Sequence, residues 1–415
     1  MVKLKSPAFT TGTSPGISSG AQVAGLPRSK ATAPRPFDVV IVPDFLGAQA
    51  QVQEGQAILF LSSWLQQYGS ESRLPLHLAC IGEPPDTVRR LAARAGARIS
   101  LHAPIGIQDG HHVGNKLRGL EVSVETDRLL LLDVDTLVLN DISPLGHWTS
   151  CLAAAPDDCP KVTDDQWKQI YQGLQLDPPH NRSRCLADEL GLPNFPGRWL
   201  GYKVPRQDRN EMIPYYNSGA VLVPVNCGLR PLWEKNIRRI AALFPRQQGK
   251  LKWIHCSDQA GLAVSFWQLS QQGWSFRRLP DSLNSRWRNL YVGSPALHET
   301  GVLHLTTFLH DLPREPVTAD RLRKAVSRYL GQKLGRRFGR ILVGEGLRGT
   351  AVNGTHRFWR ARRQCHQLNH RLHKLLNQHA WDCGDTPNST KQHSKDQQVL
   401  GSLQRKDQKS SGAAA

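Results

Sequence analysis

The segment LLLLDVDTLVLNDISPL (129–145) constrains this chain more than any other. Four consecutive leucines suit a strand buried on both faces, and the run ends in two carboxylates one residue apart. Carboxylates at the end of a buried strand are costly unless a cation compensates them. Hard oxygen ligands of this kind suit Mg²⁺ or Mn²⁺, which keep water and bridge to phosphates. If the backbone stays extended, Asp133 and Asp135 share one side of the strand and reach one ion together.

The surrounding pattern sets the fold class. FDVVIV (37–42), LPLHLACIG (74–82), ARISLHAP (97–104) and RLLLLDVD (128–135) read as apolar strands. QAILFLSSWLQQY (56–68), PDTVRRLAARAG (85–96) and NKLRGLEVSVE (115–125) read as the helices between them. This alternation predicts an α/β protein with a mostly parallel sheet covered on both faces. Such sheets bind ligands outside the carboxyl ends of their strands, where Asp44, Asp133 and Asp135 fall. Residues 157–211 read as an insertion of loops and short helices. Beyond it, GAVLVPV (219–225) and GVLHLTTF (301–308) read as strands, LWEKNIRRIAALF (232–244) and SDQAGLAVSFWQL (257–269) as helices.

Charge divides the 415 residues further. Lys and Arg number 53 against 34 Asp and Glu, a net of +19, and the excess lies at the two ends. Residues 1–36 form a basic arm rich in Ser, Gly, Pro and Thr, and 384–415 a polar tail; both are expected to be disordered. A neutral domain over 37–315 stands between the arm and a basic helical extension over 316–383. In that extension Leu322, Val326, Leu330, Leu334 and Phe338 recur every fourth residue among Arg and Lys. Three uses fit this stripe: packing on the neutral domain, contact of 320–341 with an anionic membrane surface, or nucleic-acid binding. The last is disfavoured, because no aromatic-interleaved RNA-binding pattern accompanies the charge. Cys365, His366, His370 and His373 have helical spacing, but without paired cysteines they read as a polar helix face rather than a zinc site. The eight scattered cysteines, the lack of an apolar leader and the strand-sized apolar runs together predict a cytoplasmic protein.

Two chemistries fit the DxD. Phosphatases of the haloacid-dehalogenase type place DxDx[TV] on their first strand, but here Leu137 holds the fifth position and three strands come earlier. The other pieces of the chain resemble the GT-A glycosyltransferases, most closely the glycogenin-like retaining family 8. NKLRGLEV is similar to that family's Lys-Leu segment, CLAAAPDD (151–158) to the strand after the DxD, and YYNSGAVLVPV (215–225) to its F/Y-N-S/A-G strand. SDQAGLAVSF (257–266), LPDSLNSRW (279–287) and VLHLTTF (302–308) follow in the family's order.

The resemblance implies a GT-A fold over about 37–310 and a metal-dependent hexosyl transfer from a nucleotide-diphosphate sugar to a carbohydrate, lipid or protein acceptor, with retention. It implies that Asp133, Asp135 and His304 hold Mn²⁺ or Mg²⁺. Asp258, Gln259 and Asn217 would lie at the reacting sugar. Lys116 would contact the nucleotide or its phosphates, Asp157 or Asp158 the sugar hydroxyls, and Asp44 the base. One element departs from the family: His304 is followed by LTTFLHDLP and not by Gly and Lys-Pro-Trp. The diphosphate contact then falls to His310, Arg277, Arg278, Arg286 or Arg288. The alternative is a non-catalytic protein of the same fold acting through its basic tail.

Overall fold

The computed structural model describes residues 36–47, 49–70, 72–107, 112–148, 151–157, 162–180, 198–199, 202–203, 213–244, 257–286, 295–305, 309, 312, 317–334 and 351–380. All described residues belong to one compact unit. Residues 1–35 of the expected arm and the tail 384–415 therefore lie outside the described residues.

The apolar runs form β1 (Asp38–Ile41), β2 (Leu76–Ile81), β3 (Arg98–His102), β4 (Arg128–Leu132), β5 (Thr136–Val138) and β6 (Cys151–Pro156). A short hairpin, β7 (Arg198–Trp199) with β8 (Tyr202–Lys203), precedes β9 (Tyr216–Pro224) and β10 (Ser275–Arg278). Two more short strands, β11 (Ser285–Arg286) and β12 (Val302–His304), complete the set. The main sheet has seven strands in the order β10-β6-β9-β4-β1-β2-β3. All its pairings are parallel except those of β9, which runs against both β4 and β6. This is the mostly parallel α/β sheet expected of a GT-A protein. The reversal of β9 matters most: it brings the first residues of β9 to the carboxyl ends of β4 and β6. β3 departs from the expectation of uniformly buried strands. It is the sheet's edge, so Ile99 and Leu101 are exposed.

Helices α1 (Ala50–Tyr68), α2 (Asp86–Arg94), α3 (Asp164–Leu174), α4 (Leu229–Leu243) and α5 (Ser257–Gln271) surround the sheet. α1 and α2 share one apolar core with β1 and β2, and α4 and α5 cover the opposite face. α3 opens with a capping box, Thr163 accepting from Gln166 N–H while the Gln166 side chain accepts from Thr163 N–H. The segment expected as a helix over 115–125 is instead a 3₁₀ coil, His112–Leu120. Its backbone presses on the sheet: a Cβ at Gly119 would stand 2.5 Å from Leu131 and 2.9 Å from Val42.

The basic extension packs on the domain. Helix α6 (Ala319–Arg328), which continues in a wider π-type turn to Leu334, buries Leu322, Val326 and Leu330 in the core that holds α1. Helix α7 (Ala351–Ala380) adds Leu368, Leu372, Leu375 and Leu376 to it. A Cβ at Gly55 of α1 would lie 2.8 Å from Leu322, so the two helices meet almost backbone to side chain. The first three residues of the stripe considered for a membrane surface thus face inward. No helix among the described residues is long and apolar enough to cross a membrane.

Candidate active site

The site is built where β4 stops. Asp133 follows the strand, but the backbone does not remain extended: Asp133 C=O accepts from Thr136 N–H at 3.2 Å and from Thr136 Oγ1 at 2.7 Å. The DxD therefore occupies a turn between β4 and β5, not one side of a strand as the spacing implied. A small antiparallel pairing then supplies the histidine. β12 lies against β5 with His304 opposite Thr136, and Leu305 N–H donates to Asp135 C=O at 3.0 Å. His304 Nε2 ends 3.1 Å from Asp135 Oδ1 and 3.7 Å from Asp133 Oδ2.

β9 completes the floor. Its pairing with β6 slips between Ala154 and Ala155, so Ser218, Gly219 and Ala220 bulge past β6 beside the acidic turn. Gly219 C=O accepts from Asp133 N–H at 3.0 Å. Alternation along the strand sends Asn217 and Ser218 to opposite faces. Ser218 Oγ donates to Asp258 Oδ2 at 2.6 Å and accepts from Lys116 Nζ at 2.8 Å. Lys116 Nζ also lies 2.8 Å from Asp133 Oδ1 and 3.2 Å from Asp258 Oδ2, bridging the two carboxylates. Asp258 lies in the first turn of α5, and its carbonyl accepts from Trp233 Nε1 of α4 at 2.7 Å, which fixes that turn.

The charges are mutually supporting. Burial works to lower the pKa of the Lys116 ammonium, but Asp133 and Asp258 outweigh it and hold that pKa above the ordinary lysine value. Burial likewise works against a charged His304, and Asp135, then Asp133, reverse the balance and raise its pKa. For Asp133, burial raises the carboxyl above the usual range despite the pull of Lys116 and His304.

Asp133, Asp135 and His304 offer three ligand atoms within 4.8 Å of one another, and no other such group occurs among the described residues. Two further observations test whether they suit a divalent ion. The far nitrogen of His304, Nδ1, is buried without a hydrogen-bond partner, so the ring is held by packing and presents Nε2 to the carboxylates. Packing is close enough to demand a glycine: a Cβ at Gly219 would fall 2.3 Å from His304 Cε1 and 2.8 Å from Asn217 Oδ1. Two carboxylates and an imidazole so cradled form an O,O,N donor set that fits Mn²⁺ or Mg²⁺.

The remaining expected residues are placed as follows. Asn217 is 4% exposed and faces Asp157, which itself is 3% exposed and paired with Arg286. Gln259 is buried in the same first turn as Asp258. Asp44 stands at the rim beyond β1, where Asn115 Nδ2 donates to its Oδ2 at 2.8 Å, one residue from Lys116. Asp158, His310 and Arg288 lie outside the described residues. Of the arginines considered for the diphosphate, Arg277 lies over the Trp148 ring, Arg278 pairs with Asp281 on the surface and Arg286 is 1% exposed inside the protein. Ser218 and Asn284 were given no role by the sequence. Alternation along YYNSG was the signal that would have found Ser218; Asn284 falls in the LPDSLNSRW segment, whose resemblance to a Leu-Pro…Asn element marked it without assigning it a role.

Comparison with known proteins joins this geometry to a family. Residues 46–269, more than half of the chain, match the family described as the Rhodobacterales glycosyltransferase domain. The chain belongs to that family of glycosyltransferases, and the order of its motifs resembles that of GT-A family 8. No curated protein matches the sequence. Among solved structures it is similar to the galactosyltransferase LgtC in complex with donor and acceptor sugar analogues, at 14% identity and a TM-score of 0.40, over 70% of this chain and 95% of that one. It is also similar to mouse xyloside xylosyltransferase 1, at 13% identity and a TM-score of 0.36, over 65% of this chain and 96% of that one. The glycosyltransferase GlyE of Streptococcus pneumoniae TIGR4 matches at 14% identity and a TM-score of 0.35, over 65% of this chain and 54% of that one.

Proposed function

We propose that the protein is a metal-dependent hexosyltransferase of the family 8 kind, which moves a sugar from a nucleotide-diphosphate sugar to an acceptor with retention. One observation carries the metal dependence: Asp133, Asp135 and His304 converge within 4.8 Å at the end of β4, with Lys116 and Asp258 beside them. A divalent ion bound there supplies Lewis-acid stabilisation of the negative charge that develops on the departing diphosphate.

The chain's own residues do the rest. Lys116 sits between Asp133 and Asp258, so it holds the metal-side and sugar-side carboxylates at a fixed separation and presents a cation to a phosphate oxygen. Ser218 fixes the Asp258 carboxylate through a 2.6 Å hydrogen bond, leaving Asp258 oriented toward the positive charge that grows on the sugar ring. Asn217 contacts the sugar from the opposite face of β9, Gln259 stands next to Asp258, and Asp44 lies at the base end. Retention follows from attack of the acceptor on the face the diphosphate leaves.

Incubating the full chain with a panel of nucleotide sugars and Mn²⁺, and measuring released nucleoside diphosphate, tests this reading. One donor should be turned over, activity should vanish with EDTA or in Asp135→Ala, and NMR of the product should show the donor's anomeric configuration. Turnover that persists in EDTA would refute metal dependence, and an inverted product would refute retention.

A further inference from the structure

Arg286 has no part in the chemistry above, yet it is among the largest fully buried side chains. A buried guanidinium is costly unless its charge and N–H groups are met. Here Nη1 donates to Asp157 Oδ1 at 3.0 Å, and Nη2 donates to the carbonyl of Pro156. Both acceptors end β6, while Arg286 lies on β11, whose partner strand carries His304 directly opposite. The ion pair therefore ties the small sheet that delivers His304 to the main sheet behind the site.

The same carboxylate oxygen governs Asn217. Asn217 Nδ2 donates to Asp157 Oδ1 at 3.4 Å. At the other end of the amide, Oδ1 accepts from Gly219 N–H at 3.0 Å and from Asn284 Nδ2 at 3.0 Å. A backbone N–H can only donate, so the Gly219 contact fixes which end of the Asn217 amide is oxygen. Both lone pairs of that oxygen are then used, and one amide hydrogen points at Asp157. Asn217 keeps a single N–H for a ligand. Asn284, 1% exposed, has the opposite remainder: its Oδ1 is buried with no hydrogen-bond partner.

We propose that Arg286 is a positioning residue which, through Asp157, holds one N–H of the Asn217 amide, so that Asn217, its oxygen already saturated, turns its remaining N–H to the hydroxyl face of the transferred sugar, with Asn284 supplying the matching acceptor. This rests on the reading of Asn217 as a sugar contact. A neutral hydroxyl both accepts and donates and so satisfies the pair, whereas a carboxylate leaves Asn284 unmet and an ammonium leaves Asn217 unmet. The position therefore selects a neutral, hydroxyl-bearing sugar over an acidic or amino sugar.

The test compares nucleoside diphosphates with their sugar conjugates, using UDP, GDP and their hexose conjugates in saturating Mn²⁺ by calorimetry on the full chain. Arg286→Met combined with Asp157→Leu removes both charges together, so neither is left buried alone, and thermal melting verifies the fold. This double variant should bind the preferred nucleoside diphosphate within about twofold of wild type but its sugar conjugate about tenfold more weakly. Arg286→Lys, which keeps the charge and one hydrogen bond, should recover most of the loss and carries the same ratio test if the double variant does not melt cooperatively. A variant that keeps the wild-type ratio of the two affinities overturns the positioning role alone. Wild type that binds no nucleotide in Mn²⁺ overturns the metal-dependent reading, and this proposal with it.

Discussion

Asp133 and Asp157 follow the two strands that flank β9, and each meets a cation, half-buried Lys116 for the first and buried Arg286 for the second, yet the two neighbourhoods differ in kind. At the end of β6 the charges close on themselves: Arg286 is 1% exposed and Asp157 3%, and their hydrogen bonds are made within the protein. At the end of β4 three carboxylates, from Asp133, Asp135 and Asp258, face one lysine and one histidine, and Asp133 remains 26% exposed. The first arrangement ties β11 to the end of β6. The second has acidic oxygens in excess of fixed cations and an opening to solvent, which is what recruitment of a divalent ion requires. Neighbouring strand ends with the same residue type can thus be told apart by whether the counter-charge is built in.

Substitutions at the two ends should separate accordingly. Asp135→Ala should have the largest effect on function, cutting turnover by about a hundredfold or more, with little change in melting temperature because a crowded acid is removed. A large drop in melting temperature instead would mean the acidic turn holds the fold together. Arg286→Ala should do the reverse. It leaves Asp157 charged and buried, and should destabilise the fold by about 3–5 kcal/mol in denaturant titration.

Gly219→Ala tests the shared wall between them. Its Cβ would overlap the His304 ring, so Mn²⁺ affinity should fall about tenfold, and overpacking should cost about 1–3 kcal/mol. Unchanged Mn²⁺ affinity would show that His304 is not a ligand.

The smallest effect is expected at Glu121, which anchors the coil carrying Lys116. Burial works to raise its carboxyl, but Arg118 and Arg230 outweigh it and hold the pKa below the usual glutamate value. A depressed folded pKa gives stability that is present above the unfolded value and lost as pH falls through the folded one. Glu121→Gln should therefore cost less than about 1 kcal/mol at neutral pH and nothing in acid, with the difference shrinking in high salt.

Much of this site is legible in the sequence, and the exceptions are physical. Leu129–Leu132 and Ala220–Val223 are apolar at every position, which reads as strand in any context, and the DxD, NSG and DQ elements announce themselves in order. What pairing distance hides is less accessible. That Arg286 meets Asp157 depends on a contact spanning 129 residues, and no local pattern distinguishes that arginine from Arg277 or Arg278. The extended DxD failed because a tight turn, closed by Thr136 on Asp133, overrides strand periodicity where β4 gives way to β5. The helix expected over 115–125 is a 3₁₀ coil ending at Leu120, with Gly119 set close against Leu131 and Val42, a contact that helical spacing does not register. The basic stripe at Leu322, Val326 and Leu330 has the pattern of a surface-seeking helix, and only the close approach at Gly55 shows that it covers α1.

The most direct measurement is a calorimetric Mn²⁺ titration of wild type and Asp135→Ala, with and without nucleoside diphosphates. An open acidic turn predicts one Mn²⁺ per chain in wild type, tightened by one nucleoside diphosphate and lost in the variant. Equal binding by both proteins, or nucleotide binding indifferent to Mn²⁺, would contradict it.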